Sequence, residues 1–149
     1  MSQTSHDIST LNDLIATTFD SVEGYREAGK NSEGTRYVSM FNARAVEREA
    51  VIATMRGEVT RLGGKPEEDG TMLGGAHRMF LNLKSVVTGR DDKAIIAEVE
   101  QGEDHIKARF EDAMDDTELS PGAMHMIREC FASIKQGHDE MRDLKQSMA

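Results

Sequence analysis

The sequence predicts an all-α protein built as a four-helix bundle, and three observations support this prediction. Apolar side chains recur at alternating steps of three and four residues through four long segments, as they do on one face of a helix. The strict alternation of apolar and polar residues that is typical of strands is essentially missing from the sequence. The two prolines, Pro66 and Pro121, both lie where a helical pattern stops. A chain of 149 residues is expected to form a single domain, residues 1–149.

The first two helices are predicted over about residues 7–29 and 35–62. The segment "GKNSEG" separates them and "LGGKP" ends the second, because glycine and proline break a helical pattern. The first apolar stripe comprises Ile8, Leu11, Ile15, Thr18, Val22 and Tyr25. The second comprises Tyr37, Phe41, Arg44, Arg48, Val51, Met55 and Leu62. Two arginines therefore lie on a face that is expected to be buried.

The last two long helices are predicted over about residues 91–114 and 120–147. Ser120 is a suitable N-cap and Pro121 a favourable first helical residue. The third stripe comprises Ile96, Val99, Glu103, Ile106, Phe110 and Ala113. The fourth comprises Ile127, Phe131, Ile134, His138 and Met141. A carboxylate and an imidazole thus interrupt stripes that are otherwise apolar.

About thirty residues connect the second long helix to the third, and they contain a shorter amphipathic segment at about residues 72–87. A connection of this length can run along the whole bundle, so the second and third helices are expected to point the same way. Two antiparallel hairpins joined by such a crossover, with a short extra helix in it, form the architecture of the ferritin-like four-helix bundles.

Composition and charge exclude several classes of protein. The net charge of -9 argues against nucleic acid and against anionic membranes as partners, since both attract a basic surface. The first residues carry no secretory signal pattern, and no apolar run is long enough to span a bilayer. The single cysteine, Cys130, excludes an internal disulfide and fits a reducing compartment. We therefore expect a cytoplasmic protein. We also expect His6 to lie in a frayed N-terminal segment, before the first predicted helix.

Several segments resemble a known bacterial family. The segments are "LNDLIATTFDSVEGYREAG", "GEDHIKARFEDAM" and, in the crossover connection, "LGGAHRMFLNLK" followed by "VTGRDD". Together they resemble an uncharacterised family of four-helix-bundle proteins, a domain of unknown function within the ferritin-like superfamily. The resemblance implies the bundle fold over nearly the whole chain. It brings no established activity with it.

Di-iron members of that superfamily offer a test of function. Their metal ions need one Glu from each of two helices and a Glu-x-x-His pair from each of the other two. When the helices are aligned from their expected ends, Glu103 falls level with Glu47. Thr18 lies at that height on the first helix, and the region around Phe131 on the fourth. The sequence contains no Glu-x-x-His at all, so two of four carboxylates and neither histidine are in place.

Arginines occupy the same level. Arg44 and Arg48 lie one turn apart on the inner face of the second helix, at the height of Glu103. A guanidinium satisfies a buried carboxylate through two parallel hydrogen bonds, and its charge repels metal cations. We therefore interpret Thr18, Arg44, Glu47, Arg48 and Glu103 as a polar core layer that replaces a metal site.

A retained metal site with unusual ligands is the alternative interpretation. Its candidate ligands are Glu47, Glu103 and His138, for iron or another divalent metal. By antiparallel pairing of the last two helices, His138 should lie two turns from Glu103 and near Tyr25 or Tyr37. It is expected to be a hydrogen-bonded core histidine, although a small ligand in a neighbouring cavity is a further alternative.

Three functions follow from these alternatives. The favoured one is a non-catalytic bundle without a cofactor that acts through its surface, as a structural, stress-associated or partner-binding protein. The others are a metal-binding or redox protein with a remodelled carboxylate centre, and a small-ligand binder that uses a cavity near His138. Outer apolar positions such as Val46, Ile52 and Ile95 would fit a homodimer formed through a helix face. The sequence identifies no other protein partner.

Overall fold

The computed structural model describes residues 2–70 and 91–148, and within these ranges the chain is all-helical without strands. The four helices are α1 (Gln3–Asn31), α2 (Thr35–Arg61), α3 (Asp92–Met114) and α4 (Pro121–Ser147). The predicted fold class, an all-α four-helix bundle, is confirmed. The short helix predicted at residues 72–87 lies outside the described residues.

Side chains that cap the helix starts explain where α1, α3 and α4 begin. The predicted start of α1 at residue 7 is wrong by four residues, because Ser2 accepts a hydrogen bond from the Ser5 backbone N–H at 3.1 Å. His6 is therefore helical rather than frayed. Asp91 caps α3 by accepting from the backbone of the first turn. Ser120 caps α4 and Pro121 follows it, as the sequence predicts.

The helices form a ring in which neighbouring helices run antiparallel. α1 packs most extensively on α2, and α3 on α4, while α1 also contacts α3 and α2 also contacts α4. The end of α2 returns to the start of α1, since Asn12 bonds with the backbone of Lys65 and Glu67 beyond α2. The pairs α1/α4 and α2/α3 are therefore the diagonals of the bundle.

Both diagonal pairs run parallel, as their starting residues show. Asp92 at the start of α3 accepts hydrogen bonds from the backbone N–H groups of Glu33 and Gly34, just before α2, at 2.9 and 3.0 Å. Asp7 near the start of α1 accepts from the backbone N–H and the hydroxyl of Ser120 at 3.0 and 2.6 Å. The parallel direction of α2 and α3 that the long connection predicts is present.

Leu, Ile, Val, Met and Phe side chains from all four helices fill the core, and the predicted stripes supply most of them. Their burial supplies the main driving force for packing the helices together. Ile52 and Ile95, which were expected at outer positions, are buried in this core instead. Across the described parts of the chain, none of the helices has a stretch long and apolar enough to cross a membrane.

Candidate functional site

A fully buried ion pair joins α2 to α3 across the diagonal of the bundle. Arg48 donates from Nη1 to Glu103 Oε1 at 2.8 Å and from Nη2 to Glu103 Oε2 at 2.6 Å. Arg48 is 0% exposed and Glu103 is 2% exposed. The two parallel bonds match the fork of the guanidinium to both carboxylate oxygens, which is the strongest geometry for such a pair. The carboxylate that interrupts the α3 stripe therefore faces an arginine.

Helix α1 contributes a hydroxyl and an aromatic ring to this ion pair. Ser21 accepts a second hydrogen bond from Arg48 Nη1 at 2.7 Å. The guanidinium carbon lies 5.5 Å from the centroid of the Tyr25 ring, within cation–π range. Thr18, which was expected to contribute here, is buried but donates its hydroxyl to the Leu14 carbonyl of its own helix at 2.7 Å. The long arginine side chain reaches one turn further along α1, so Ser21 takes the place expected for Thr18.

Helix α4 meets the ion pair at a glycine. An ideal Cβ on Gly137 would lie 2.5 Å from Arg48 Nη2 and 3.1 Å from Glu103 Oε2. The expectation that the region around Phe131 lies at this level is therefore wrong. We call Ser21, Tyr25, Arg48, Glu103 and Gly137 the axial layer, because the five residues bring all four helices together.

The physical reason for this error is the path of the connection between α3 and α4. If the chain simply reversed at the middle of that connection, Glu103 would lie level with a residue more than one turn before Gly137. The observed contacts show this displacement of α4 along its whole length: Glu103/Gly137, Asp104/His138 and Glu100/Lys145. Residues 115–120 continue along the bundle axis before α4 begins, so the first turns of α4 extend past the end of α3. Simple antiparallel counting does not include this displacement.

Arg44 lies beside the axial layer, with its Cδ 3.3 Å from the position of a Cβ on Gly137, whereas the side chain of Glu47 is 42% exposed and lies nearer the surface. Arg44 is buried, and it donates to Glu47 Oε1 and to Glu140 Oε2, both at 2.9 Å. Glu47 also accepts from the Ser133 hydroxyl at 2.9 Å. The expected contact of Arg44 with Glu103 is absent from these hydrogen bonds, because Arg48 already occupies both oxygens of Glu103. Glu47 likewise faces α4 rather than Glu103.

The charges of the axial layer are stabilised by each other rather than by water. Burial is the largest single effect on Arg48 and disfavours its charged form, but the interactions with Glu103, Tyr25 and Glu47 together outweigh burial and raise the arginine pKa above its ordinary value. Burial, reinforced by the Glu103 charge, raises the pKa of Tyr25 well above its ordinary value. Both groups therefore keep one protonation state at neutral pH.

His138 lies beside the axial layer, and its partners are carboxylates. Its Nε2 lies 2.7 Å from Asp104 Oδ1, and its Nδ1 lies 3.0 Å from Asp139 Oδ1. The sequence predicts His138 near Tyr25 or Tyr37, but its hydrogen bonds go to these carboxylates, and within the described residues the Tyr25 hydroxyl has no hydrogen-bond partner. Hydrogen bonds from Lys135 and His138 lower the pKa of Asp139 to about 2.

The candidate metal ligands have separate protein partners. Glu103 is paired with Arg48, Glu47 with Arg44 and Ser133, and His138 with two aspartates. A groove of about 650 Å³ borders Asp139, but it is open and lined by α4 side chains. It does not provide the enclosed cavity that the small-ligand interpretation requires.

Cys130 is buried in the core, where burial raises its pKa to about 11. A thiol with so high a pKa carries almost no thiolate at neutral pH, and the thiolate is the nucleophilic form. Cys130 therefore behaves as a small core residue.

Sequence reasoning missed Ser21, Gly137, Asp104 and Glu140. Gly137 carries a usable signal, since a glycine in the middle of an amphipathic helix costs stability and suggests a close approach by another group. Ser21, Asp104 and Glu140 lie beside the apolar stripes rather than on them. Their partners are Arg48, His138 and Arg44, respectively, which reach them from other helices. Stripe analysis does not include such flanking positions.

A family model described as a domain of unknown function, DUF2383, matches residues 6–116 of the 149 residues. The chain belongs to this family. The predicted resemblance to an uncharacterised domain of unknown function is thereby confirmed. The placement of DUF2383 in the ferritin-like superfamily stays a prediction, with which the helical bundle is consistent. The matched range contains the α1, α2 and α3 residues of the axial layer and ends before Gly137. A comparison with curated proteins finds no relative of this chain.

Proposed function

We propose that this protein is a non-catalytic helical bundle that acts by protein association, with a second copy of itself as the partner. The observation that carries the non-catalytic part is the position of the Arg48 guanidinium on the bundle axis. A ferritin-like bundle would hold its metal ions at this level. Here a cation occupies that level, and both oxygens of Glu103 are used by it.

The axial layer is better suited to fixing helix register than to chemistry. A buried ion pair adds little net stability relative to apolar packing, but removing one partner leaves an uncompensated charge. An alternative register of α2 against α3 would separate Arg48 from Glu103 and bury both charges unpaired. The layer therefore favours one arrangement of the helices, as expected for a scaffold that presents a surface.

The surface that we propose for association is the outer face of α2. Among the residues that the structure describes, Val46 is the one large apolar side chain that is exposed, at 62%. It lies in a row of exposed residues spaced by three and four along α2, which we call the α2 face: Ala43, Val46, Ala50, Ala53, Gly57 and Thr60. Two helices with such a seam pack closely along it.

Charge complementarity favours a second copy in antiparallel orientation. Glu49 flanks the α2 face in its first half, and Arg56 and Arg61 flank it in its second half. A two-fold axis near the middle of the face would bring each acidic half against the basic half of the other copy. Glu49 already contacts Arg26, and both side chains are about half exposed, so this pair can rearrange. Arg61 also contacts the buried Glu58, and Arg56 donates to the Glu67 carbonyl, but the exposed guanidinium of Arg61 can reach a second carboxylate.

The size of the α2 face predicts a dimer of modest affinity. A helix of 27 residues is about 40 Å long, so contact along one helix alone buries less than the roughly 1,200 Å² of a standard stable interface. We therefore expect a dissociation constant for the dimer in the micromolar range.

We also propose a reducing cytoplasm as the compartment of this protein, because the free, buried Cys130 fits such an environment.

Sedimentation equilibrium over a range of protein concentrations tests the association. The wild-type chain should form dimers, and Val46→Lys should shift it to monomer, because a charged side chain would lie in the seam. Ala108→Lys on α3, an exposed alanine on another helix, is the matched control and should dimerise like wild type. The reversed pair Glu49→Arg with Arg56→Glu should dimerise better than either single change. Monomeric wild type at all concentrations would refute the proposal.

Metal analysis of protein purified without chelator tests the non-catalytic part. We expect no iron, manganese or zinc whose binding depends on Glu103. One or two metal ions per chain that are lost in Glu103→Gln would instead establish a remodelled metal centre and overturn this part of the proposal.

A further inference from the structure

Three metal-ligating side chains meet at the end of the bundle where α1 begins. They are His6 in α1, and Asp116 and Glu118 in the connection between α3 and α4. One ligand atom from each lies within 4.8 Å of the other two. His6 Nε2 lies 2.7 Å from Asp116 Oδ2, and the two side chains are 28% and 25% exposed. His6 lies more than a hundred positions from both Asp116 and Glu118 in the sequence, so the fold itself assembles this cluster.

Neighbouring hydrogen bonds hold the cluster in place. Asp116 Oδ1 accepts from the backbone N–H of Glu118 at 2.9 Å, which orients the Asp116 carboxylate and leaves Oδ2 toward His6. Next to His6, the buried Asp7 accepts two hydrogen bonds from Ser120. This second contact fixes α1 against the connection that carries both acidic residues. Two of the three side chains, His6 and Asp116, are therefore organised before any ion arrives, which reduces the ordering cost of binding, while the exposed Glu118 side chain has to be ordered by the ion.

We propose that His6, Asp116 and Glu118 form a three-ligand site for a divalent first-row transition ion, with Zn²⁺ as the expected occupant. An imidazole nitrogen favours such ions over Ca²⁺ and Mg²⁺, which prefer oxygen ligands alone. Two carboxylates and a neutral imidazole carry a charge of -2, which a divalent ion neutralises. Partial exposure leaves room for a water molecule as the fourth ligand of a tetrahedral ion.

Glu118 separates this proposal from a simpler role for the cluster. A hydrogen-bonded His–Asp pair that fastens α1 to the connection needs His6 and Asp116 and would not depend on the Glu118 side chain. A metal site of three ligands depends on all three. Substituting Glu118 by Gln keeps the backbone N–H that orients Asp116 and removes only the charged ligand.

Isothermal titration of ZnCl₂ into chelator-treated, full-length protein tests the site. Wild type should bind one Zn²⁺ per chain in a saturable step, and His6→Ala, Asp116→Asn and Glu118→Gln should each weaken that step about tenfold or more. His125→Ala is the matched control, because His125 is an exposed helical histidine 3.0 Å from Glu129, and no third ligand joins this pair within residues 2–70 and 91–148. This variant should keep wild-type affinity.

Circular dichroism of each variant without metal shows whether it is folded. If Asp116→Asn does not fold, the Zn²⁺ affinity of Glu118→Gln decides whether the three-ligand site exists. The proposal is overturned if wild type shows no saturable binding, or if Glu118→Gln binds Zn²⁺ as tightly as wild type. It is also overturned if His125→Ala weakens binding as strongly as His6→Ala.

Discussion

The guanidinium of Arg48 lies against the backbone of Gly137, 2.5 Å from the position that a β-carbon on residue 137 would take. Glu103 holds that guanidinium in place through two hydrogen bonds, and its Oε2 also lies 3.1 Å from that β-carbon position. The arginine therefore has little freedom to move away from a larger residue on α4. The glycine and the ion pair depend on each other.

Gly137→Ala should destabilise the protein, although alanine is the better helix former. Helix propensity alone would give a gain of about 1 kcal/mol. Overpacking against a fixed group costs about 1–3 kcal/mol, so after the gain in helix propensity we expect a net loss of up to about 2 kcal/mol. Gly24→Ala is the matched control on α1, where an added Cβ meets no atom within 4 Å, and it should stabilise. Urea unfolding of both variants measures the difference, and equal stabilisation would contradict the steric argument.

Breaking the ion pair from one side should cost more than removing it altogether. Arg48→Met leaves Glu103 buried and unpaired, and we expect a loss of about 3–5 kcal/mol. The double variant Arg48→Met with Glu103→Leu should recover most of that loss, because it buries no charge.

A double-mutant cycle measured by urea unfolding provides the test. Additive losses from the two single substitutions would show that the two side chains are not energetically coupled. A change in the dependence on urea concentration would indicate that the denatured state or the compactness of the fold has changed as well.

His105 on α3 should make stability fall as the pH is lowered. Burial, and then the positive charge of Arg109, lower the pKa of His105 below 6.5, while Asp20 acts in the opposite direction. A lowered pKa means that the unfolded chain takes up the proton more readily than the folded chain. This loss begins as the pH falls through 6.5, and it is complete below the lowered pKa.

Comparison of wild type with His105→Gln isolates this contribution, because every other titrating group is common to both. The stability difference should change between about pH 8 and about pH 5, with wild type losing more on acidification. A difference that does not vary with pH would refute the predicted role of burial.

Asp7→Ala should weaken the attachment of α1 to the start of α4. Asp7 is 2% exposed, and its carboxylate accepts hydrogen bonds from the backbone and the hydroxyl of Ser120. Hydrogen bonds to charged groups are worth about 1.5–3 kcal/mol each, so losing both should cost about 3–6 kcal/mol. Ser2→Ala, which removes an exposed cap, should cost about 1 kcal/mol or less. Thermal unfolding ranks the two variants, and an equal effect would contradict the importance of burial.

The fold was predictable because its signals are local. Helical periodicity, the positions of Pro66 and Pro121 and the cap at Ser120 are all visible within short windows of sequence. The pairing of Arg48 with the α3 carboxylate was also accessible, since charged residues on apolar stripes of two parallel helices can be aligned from the helix starts. That alignment was accurate to about one turn.

The α4 side of the axial layer was not predictable by the same means. Its register depends on residues 115–120, which carry α4 beyond the end of α3, and no periodic pattern records their path. Because the predicted height of α4 was wrong by more than one turn, Phe131 rather than Gly137 was predicted to lie level with Glu103. For the same reason, His138 was predicted to lie near tyrosines rather than beside Asp104. The choice of Ser21 over Thr18 had a different cause, namely the length of the arginine side chain.

The two aspartates at the starts of the diagonal helices share one electrostatic task. Parallel helices place their positive dipole ends side by side, and these ends repel one another. Asp92 accepts from the two backbone N–H groups before α2, and Asp7 accepts from the backbone N–H before α4. Each carboxylate thus lies between two like-directed helix starts and offsets the positive potential of both. The parallel diagonals of this bundle are held at their ends by anionic bridges that the protein itself supplies, one at each end of the molecule.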